Sequence, residues 1–356
     1  MTHILSRIDS LRGTEKVVID RRQFLLTSLA GALAAPVAAG AQPPAKMYRV
    51  GAFHVGLDHV PPSLEGLREG LKALGYDVPA SPIPKVSTTF EGRNIRVLWR
   101  NVADDRAAQQ TARDFVRDRV DLVVAFENQA VRAAQAATAE LPIFFFHVSD
   151  PVAEGFVKSL ARPGGNVTGM ADYLGELQGK RLELLKEMIP GIRRLLVLTA
   201  PTDPATPRLM GEISRATMQL KLQLVERPAT TEADLTRIFA SLKPGDVDAV
   251  IIASPTLITT FPALILRLST ERRLPLTTHR REQVQDGALF SYGPDFSALG
   301  RDGARYVDRI LKGARPADLP VQQASTLELV INLKTARALG LTIPPAVLAR
   351  ADQIID

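Results

Sequence analysis

Apolar runs of strand length alternate with amphipathic helical stretches along most of this chain. Residues 48–53 form an apolar run typical of a buried strand, and Leu64, Leu67 and Leu71 then recur at spacings that line one face of a helix. Ala- and Arg-rich helical stretches separate further predicted strands at residues 95–100, 122–126 and 143–148. This alternation predicts an α/β fold, in which helices cover a parallel sheet.

A second series of the same kind begins after a glycine-rich turn at residues 162–169. The predicted elements are helix 176–188, strand 195–199, helix 207–220, strand 223–227, helix 232–242, strand 249–254, helix 262–271 and strand 276–278. Two similar halves predict two similar lobes. Residues 78–90 contain three prolines and no clear periodicity, so they are predicted to be an exposed loop.

The last quarter of the chain contains a predicted strand at 288–292, a helix at 296–311 and a strand at 328–332. The tail that follows is too short for a third domain and must pack on the first two. The chain is therefore expected to cross between the lobes more than once.

The N-terminus has the layout of an export signal. Arg21 and Arg22 directly precede an apolar stretch at residues 24–41 that ends in Ala-Gly-Ala. Paired arginines in this position indicate the twin-arginine route to the periplasm, with Gln42 first after cleavage. The alternative is a retained membrane anchor, but the stretch is rich in Ala and Gly, is broken by Pro36, and is short for a span of ~20 residues.

Composition narrows the function classes. The chain has 356 residues, no cysteine and a formal charge of +6, which becomes +4 once residues 1–41, with five basic and three acidic side chains, are subtracted. Thiol catalysis, thiolate metal sites and disulfides are excluded. A charge excess this small, with no run of like charges, gives no nucleic-acid footprint.

Several segments carry a resemblance to a known family. They are SDPV at 149–152, RPGGNVTG at 162–169, GKRLELLK at 179–186, SYGP at 291–294, ELVINLKTA at 328–336 and LGLTIPP at 339–345. Over about residues 48–355 the chain resembles the ABC transporter substrate-binding family, which includes tryptophan-binding and related amino-acid-binding proteins.

The resemblance implies a type I periplasmic-binding-protein fold, with two Rossmann-like lobes, parallel sheets and a hinge of three crossovers. Lobe I would comprise residues 47–166 and 288–318, and lobe II residues 167–287 and 319–356, after an export signal at 1–41. The implied function is the extracytoplasmic solute-binding component of an ABC importer. It would be a monomer that captures a small molecule, such as an amino acid, between the lobes and presents it to a membrane permease.

The chain departs from the family at two presumed edges of the pocket. Phe-Glu-Asn-Gln at 126–129 replaces a small-residue turn, and Thr-Ala-Pro-Thr at 199–202 replaces an aromatic-Asn-Pro motif. The identity of the ligand is therefore not carried over from the relatives.

Ligands of open parallel sheets bind beyond the carboxyl ends of the strands, near the N-termini of helices. The residues at these predicted strand ends are Phe53, His54, Asn128, Gln129, Ser149, Asp150, Thr199, Ser254, Thr278, His279 and Tyr292.

Asp150 and Ser149 suit an amino-acid ligand. The carboxylate of Asp150 would accept from the ammonium group of the ligand, and the hydroxyl of Ser149 would donate to the carboxylate of the ligand. The alternative for Asp150 is a helix cap followed by Pro151 at the first helical position. Tyr292 would either stack on a flat ligand or form part of the core. Asn166 and Thr168 follow two glycines at the first crossover and are predicted to belong to the hinge rather than to the ligand site.

Sequence motifs do not favour an enzyme. The five histidines have no compact metal-ligand spacing, and the chain has no Gly-x-Ser-x-Gly elbow, phosphate loop or dinucleotide fingerprint, so neither a metal nor a cofactor is predicted. The remaining alternatives are a binding protein that reports to a membrane receptor and, less favoured, an enzyme. A transcription regulator with the same lobes would need a DNA-binding head where the export signal lies.

Overall fold

The structure is a computed structural model that describes residues 46–56, 60–79, 82–84, 86–148, 150–172 and 177–356. The predicted export signal at 1–41 and the candidate residue Ser149 lie outside these ranges. Within the described ranges, none of the helices combines the length and the hydropathy that a membrane span requires.

The elements in chain order begin with β1 (Tyr48–Val55), α1 (Pro62–Ala73), β2 (Thr88–Glu91), β3 (Ile95–Val102), α2 (Asp105–Arg117), β4 (Leu122–Phe126), α3 (Glu127–Ala137), β5 (Ile143–Val148) and β6 (Val167–Ala171). They continue with α4 (Leu177–Met188), β7 (Arg194–Thr199), α5 (Thr206–Leu220), β8 (Gln223–Pro228), α6 (Glu232–Ser241), β9 (Ala249–Ile252), α7 (Pro255–Thr260), α8 (Pro262–Glu271), β10 (Thr277–Thr278) and α9 (Arg281–Gln285). The last elements are β11 (Phe290–Pro294), α10 (Phe296–Leu311), a 3-10 turn (Pro316–Asp318), β12 (Gln322–Gln323), β13 (Leu327–Asn332), α11 (Leu333–Ala338), α12 (Pro345–Leu348) and β14 (Gln353–Ile355).

The first sheet has the strand order β12-β6-β5-β4-β1-β3-β2, and only its edge strand β2 runs antiparallel to its neighbour. Strands β4 and β5 are buried along their whole length. They read as continuous apolar runs because helices cover both faces of the sheet. Helices α1 and α10 pack on one face, and α2 and α3 on the other.

The second sheet is built from two hydrogen-bonded groups of strands. Strands β8-β7-β9 form one group and β10-β11-β13-β14 the other, and a bridge between Val250 and Leu276 connects them. Helices α4 and α5 contribute to the core on one face, and α6 and α8 to the core on the other. Two helix-covered, mainly parallel sheets confirm the predicted α/β class.

The chain passes between the two sheets three times within the part that the structure describes. It leaves the first sheet after β6, returns between β11 and α10, and leaves again between β12 and β13. Strand β6 pairs with β5, and β11 pairs with β13. The sheets thus divide the chain at slightly different residues from the predicted lobe boundaries, and those boundaries stay a prediction.

The structure corrects two local predictions. Residues 78–90 are not simply an exposed loop, because Val78 and Ile83 are buried in the first core and Thr88 begins the edge strand β2. The glycine-rich turn at 162–169 ends in strand β6 rather than in a free crossover. Thr168 is fully buried there, and its hydroxyl donates to the Leu319 carbonyl at 2.7 Å. The sequence of β6 does not alternate between apolar and polar residues, because both faces of the strand are buried.

Candidate functional site

An ion pair joins strand ends of the two sheets. Arg280, which follows β10, donates from Nη2 to Oε1 of Glu127, which follows β4, at 2.6 Å. Nε2 of His54, near the end of β1, lies 3.9 Å from the same carboxylate oxygen. The side chains of Arg280 and Glu127 are 10% and 13% exposed, so the pair is largely withdrawn from water.

Burial and mutual pairing shift the titration of these groups. Burial lowers the pKa of His54, and hydrogen bonding to Glu127 opposes this shift only in part. Burial alone would raise the pKa of Glu127, but Arg280 and the nearby histidines hold it well below its ordinary range. Burial, Arg280 and Arg181 together hold the pKa of His279 well below its usual value of 6.5. The cluster therefore contains a carboxylate, a guanidinium and neutral imidazoles.

A second buried chain of polar groups lies beside this pair. The Ser63 hydroxyl is 2.6 Å from Nε2 of His147, and Nδ1 of His147 is 3.2 Å from Oδ1 of Asp172. These three residues come from the start of α1, the end of β5 and the residue after β6. All three are at most 3% exposed. The order of the atoms is that of a Ser-His-Asp triad.

Two backbone positions in this region adopt left-handed angles without being glycine. Glu127 has φ of 68° and His147 has φ of 61°. Such conformations are uncommon for non-glycine residues and cluster at ligand and active sites, where surrounding contacts enforce them. Here they turn the two side chains out of the ends of β4 and β5 into the polar cluster.

A cavity of about 230 Å³ lies next to the cluster. Its wall from the first sheet includes Glu127, Asn128 and Gln129, and its wall from the second includes Thr202 and Thr256. Asn128 donates to Glu154 at 2.8 Å, but its buried Oδ1 has no hydrogen-bond partner. The cavity thus lies between strand ends of both sheets and is mainly polar.

A further ion pair bridges the two sides. Arg208 of α5 donates from Nη1 to Oδ2 of Asp150 at 2.8 Å. Oδ1 of Asp150 accepts from the backbone N–H of Ala153 at 3.0 Å, as a cap does, but residues 151–155 form turns rather than the predicted helix. Both oxygens of Asp150 are therefore engaged by protein groups.

The other predicted site residues divide into two groups. His54 and His279 belong to the buried cluster, and Asn128 and Gln129 line the cavity. The rest have local partners: Phe53 packs on Phe115 in the core, Thr199 donates to Glu226, Ser254 donates to Asp203, Thr278 donates to Gln283, and Tyr292 packs on the second core.

The candidate residues named from the sequence did not include Glu127, His147, Asp172, Arg280 and Arg181, although Glu127 lies in the segment 126–129 that was assigned to an edge of the pocket. Glu127, His147 and Arg280 lie within three residues of a predicted strand end, and position alone could have nominated them, whereas Asp172 follows β6, a strand that was not predicted. Four of these residues, Glu127, His147, Asp172 and Arg280, pair with residues far away along the chain. Sequence spacing could not have predicted these pairs. Within the described ranges, no group of three or more His, Asp or Glu side chains could hold a metal ion.

The family model for ABC transporter substrate binding proteins matches residues 54–355. This chain is a member of that family. The match covers most of the chain, including all three passages between the sheets and every strand except most of β1. The resemblance seen in the sequence is therefore confirmed, and the protein is a substrate-binding protein of the ABC transporter type.

Named relatives support the same assignment for this substrate-binding protein. A tyrosine-binding protein of Clostridioides difficile is 29% identical over 252 residues, covering 70% of this chain and 72% of the relative. A conserved domain protein from Vibrio cholerae is 30% identical, with a TM-score of 0.73, over 87% of this chain and 100% of the other. An ABC domain in complex with L-Trp from Streptococcus pneumonia is 25% identical, with a TM-score of 0.74 and the same coverage. The type I periplasmic-binding fold is thereby confirmed.

Proposed function

We propose that this substrate-binding protein captures a small solute between its two lobes, in the periplasm, and presents it to an ABC permease. The observation that carries the proposal is the cavity between strand ends of both sheets, beside the Glu127–Arg280 ion pair. A ligand held from both sides stabilises the arrangement in which both walls meet. The protein acts as a monomer, one per permease.

The solute is an amino acid or a related compound. Two relatives bind tyrosine and tryptophan by name. The polar groups of this cleft include the two charges that an amino acid needs, with the Glu127 carboxylate from the first sheet and the Arg280 guanidinium from the second. Asp150 is a weaker candidate for the ammonium group, because Arg208 and Ala153 already engage it.

The first experiment measures solute binding to residues 42–356 by thermal shift and calorimetry, over the twenty amino acids, sugars and carboxylic acids. A solute that binds only the folded protein stabilises it, and the melting temperature rises with the solute concentration. The free energy of unfolding increases by about 2.7 kcal/mol when the solute concentration is a hundred times Kd. Absence of any response across all three solute classes would contradict solute capture. A response to sugars alone would retain capture and exclude an amino-acid ligand.

Export through the twin-arginine route rests on Arg21 and Arg22. Replacing both with lysine is expected to leave the unprocessed precursor in the cytoplasm, because that route requires the arginine pair. Fractionation and immunoblotting measure the distribution, with Arg7→Lys as the control outside the motif. Normal processing of the double variant would indicate another route.

Delivery to a permease distinguishes this proposal from a sensory role. Uptake of the bound solute by cells, lost on deletion of the gene and restored by the wild-type protein, is the expected result. Unchanged uptake, together with a lost transcriptional or chemotactic response to the solute, would favour the binding protein that reports to a receptor.

The Ser63–His147–Asp172 chain raises hydrolysis as a second candidate function, but its burial opposes it. Ser63 is 0% exposed, and its backbone carbonyl packs against Gly300 of α10, so a substrate carbonyl has no access to its hydroxyl. We propose that these groups fasten α1, β5 and the chain after β6 together. Hydrolysis of p-nitrophenyl acetate is expected to be equal for wild type and Ser63→Ala, and a rate lost in the variant would establish an esterase.

A further inference from the structure

Arg181 is a deeply buried cation on helix α4. Arg181 is 1% exposed and lies in the first half of the helix, within the family segment GKRLELLK at 179–186. Helix α4 packs on β10 and β11 of the second sheet, and His279 and Arg280 directly follow β10. A long cationic side chain is rarely this buried unless it is paired.

The guanidinium of Arg181 lacks an ion-pair partner within the described ranges. No carboxylate oxygen there lies within 4.0 Å of it, and its Nη2 has no hydrogen-bond partner. Its Nε makes a long contact of 3.5 Å with the Leu177 carbonyl. Glu212 is the acidic group that acts on it from farther away, and that carboxylate is itself 3.6 Å from Arg208.

Among the neighbours of Arg181, the carboxylate of Glu212 offsets the buried cation only in part, and the other groups add polar atoms and positive charge. Burial lowers the pKa of Arg181 to about 10, which reflects the cost of holding the cation away from water. Arg181 in turn acts electrostatically on His279, whose buried Nδ1 has no partner. Arg280 is the other cation near His279, but Glu127 already compensates the charge of Arg280. The charge that lacks an ion-pair partner among the described residues is therefore that of Arg181.

Buried charges are tolerated when a bound counterion completes them. We propose that Arg181 receives the carboxylate of the captured solute, with His279 and Gln178 as the adjacent polar groups. Gln178 lies one turn before Arg181 on α4, and its buried Oε1, like Nδ1 of His279, has no hydrogen-bond partner among the described residues. This inference rests on the proposed function and deepens it: the solute is a carboxylate, bound through its anionic group on the side of the second sheet. Guanidinium and carboxylate match in geometry, which makes this pairing selective as well as strong.

The test compares L-tyrosine and L-tryptophan with their decarboxylated amines, tyramine and tryptamine, by calorimetry on wild type, Arg181→Met, Arg181→Lys and Arg193→Met. Arg193 is the matched control, because it is exposed and its side chain makes no hydrogen bond or ion pair with any residue that the structure describes. Wild type is expected to bind the amino acids and not the amines. Arg181→Met is expected to weaken amino-acid binding by at least about 30-fold and to lose the preference for the carboxylate. Arg181→Lys is expected to keep part of the preference for the carboxylate, and Arg193→Met is expected to bind as the wild type does.

The melting temperature of the ligand-free protein separates binding from a structural role. An uncompensated buried cation destabilises the empty protein, so Arg181→Met is expected to melt at the same temperature as wild type or higher. A lower melting temperature with unchanged binding would show that Arg181 is structural and would overturn the inference. Equal binding of amino acid and amine by wild type would do the same while leaving solute capture intact. Failure of wild type to bind either amino acid would remove the amino-acid ligand from the proposed function itself.

Discussion

Single charged residues of this protein make large contributions to the free energy of unfolding where they are buried away from water. Glu127 and Arg280 pair at 2.6 Å between the two sheets. Replacing Glu127 with Gln leaves the guanidinium buried and uncompensated, which is expected to cost about 3–5 kcal/mol in the free energy of unfolding. Urea denaturation measures this loss.

The exposed pair Arg267–Glu271 provides the control for this prediction. Its side chains are 59% and 54% exposed, so Glu271→Gln is expected to change the stability by less than about 1 kcal/mol. A loss at Glu127 no larger than that at Glu271 would mean that water reaches the buried pair and compensates it.

The buried histidine His279 predicts how stability depends on pH. Its pKa in the folded protein is held well below the ordinary 6.5, so the unfolded chain takes up a proton that the folded chain excludes. Stability is therefore expected to fall as the pH decreases below 6.5, by about 1.4 kcal/mol at pH 5.5 from this group. Denaturation at pH 7.5 and 5.5 measures the difference.

The variant His279→Gln should make that pH dependence smaller. Glu127 does not interfere, because its lowered pKa stabilises the fold above its ordinary value of 4.5 and that stability is lost only at lower pH. An unchanged difference between pH 7.5 and 5.5 in the variant would assign the pH dependence to other groups, His54 first among them.

At the scale of elements, the close approach of α1 and α10 depends on glycine. A Cβ on Gly300 would lie 2.1 Å from the Ser63 carbonyl oxygen and 2.7 Å from the Leu67 nitrogen, both backbone atoms that have little room to move. Gly300→Ala is expected to destabilise the protein by about 1–3 kcal/mol despite the higher helix propensity of alanine.

Gly211 in α5 is the matched control, because a Cβ there meets nothing within 4 Å. Gly211→Ala is expected to stabilise the protein by about 0.5–1 kcal/mol through helix propensity alone. Thermal denaturation of both variants tests the pair. Equal changes would show that the two helices adjust to the added methyl group.

At the scale of the whole molecule, Asp150 and Arg208 tie the two sides of the cleft together. The pair is partly exposed, at 25% and 38%, so Asp150→Asn is expected to weaken solute binding by at most about fivefold. Calorimetry measures the affinity, and small-angle scattering measures whether the ligand-free protein becomes more extended. A loss of a hundredfold or more would instead place Asp150 on the solute.

Much of the fold could be predicted from the sequence because local patterns set it. The apolar runs at β4 and β5 and the leucine spacing of α1 appear where they were expected. Strand β6 was missed, because it is short and follows the glycines of a turn. Strand β2 was missed because edge pairing, and not its own pattern, makes residues 88–91 extended.

The candidate site was predictable only by position. Strand ends nominated His54, Asn128 and His279, which lie at the polar cluster or the cavity. The same rule also nominated Phe53, whose side chain points into the core because alternate residues of a strand face opposite sides. Sequence order alone does not say which face of a strand end meets the cleft.

The sequence by itself determined the α/β class, the family and the order of most elements, because each follows from local periodicity or from contiguous motifs. Only the tertiary structure decided which charges meet. Glu127 and Arg280 are 153 residues apart along the chain, and Ser63 and His147 are 84 apart. Their pairing depends on how the two sheets and their helices pack, and that packing also buries Arg181 with no ion-pair partner among the residues that the structure describes.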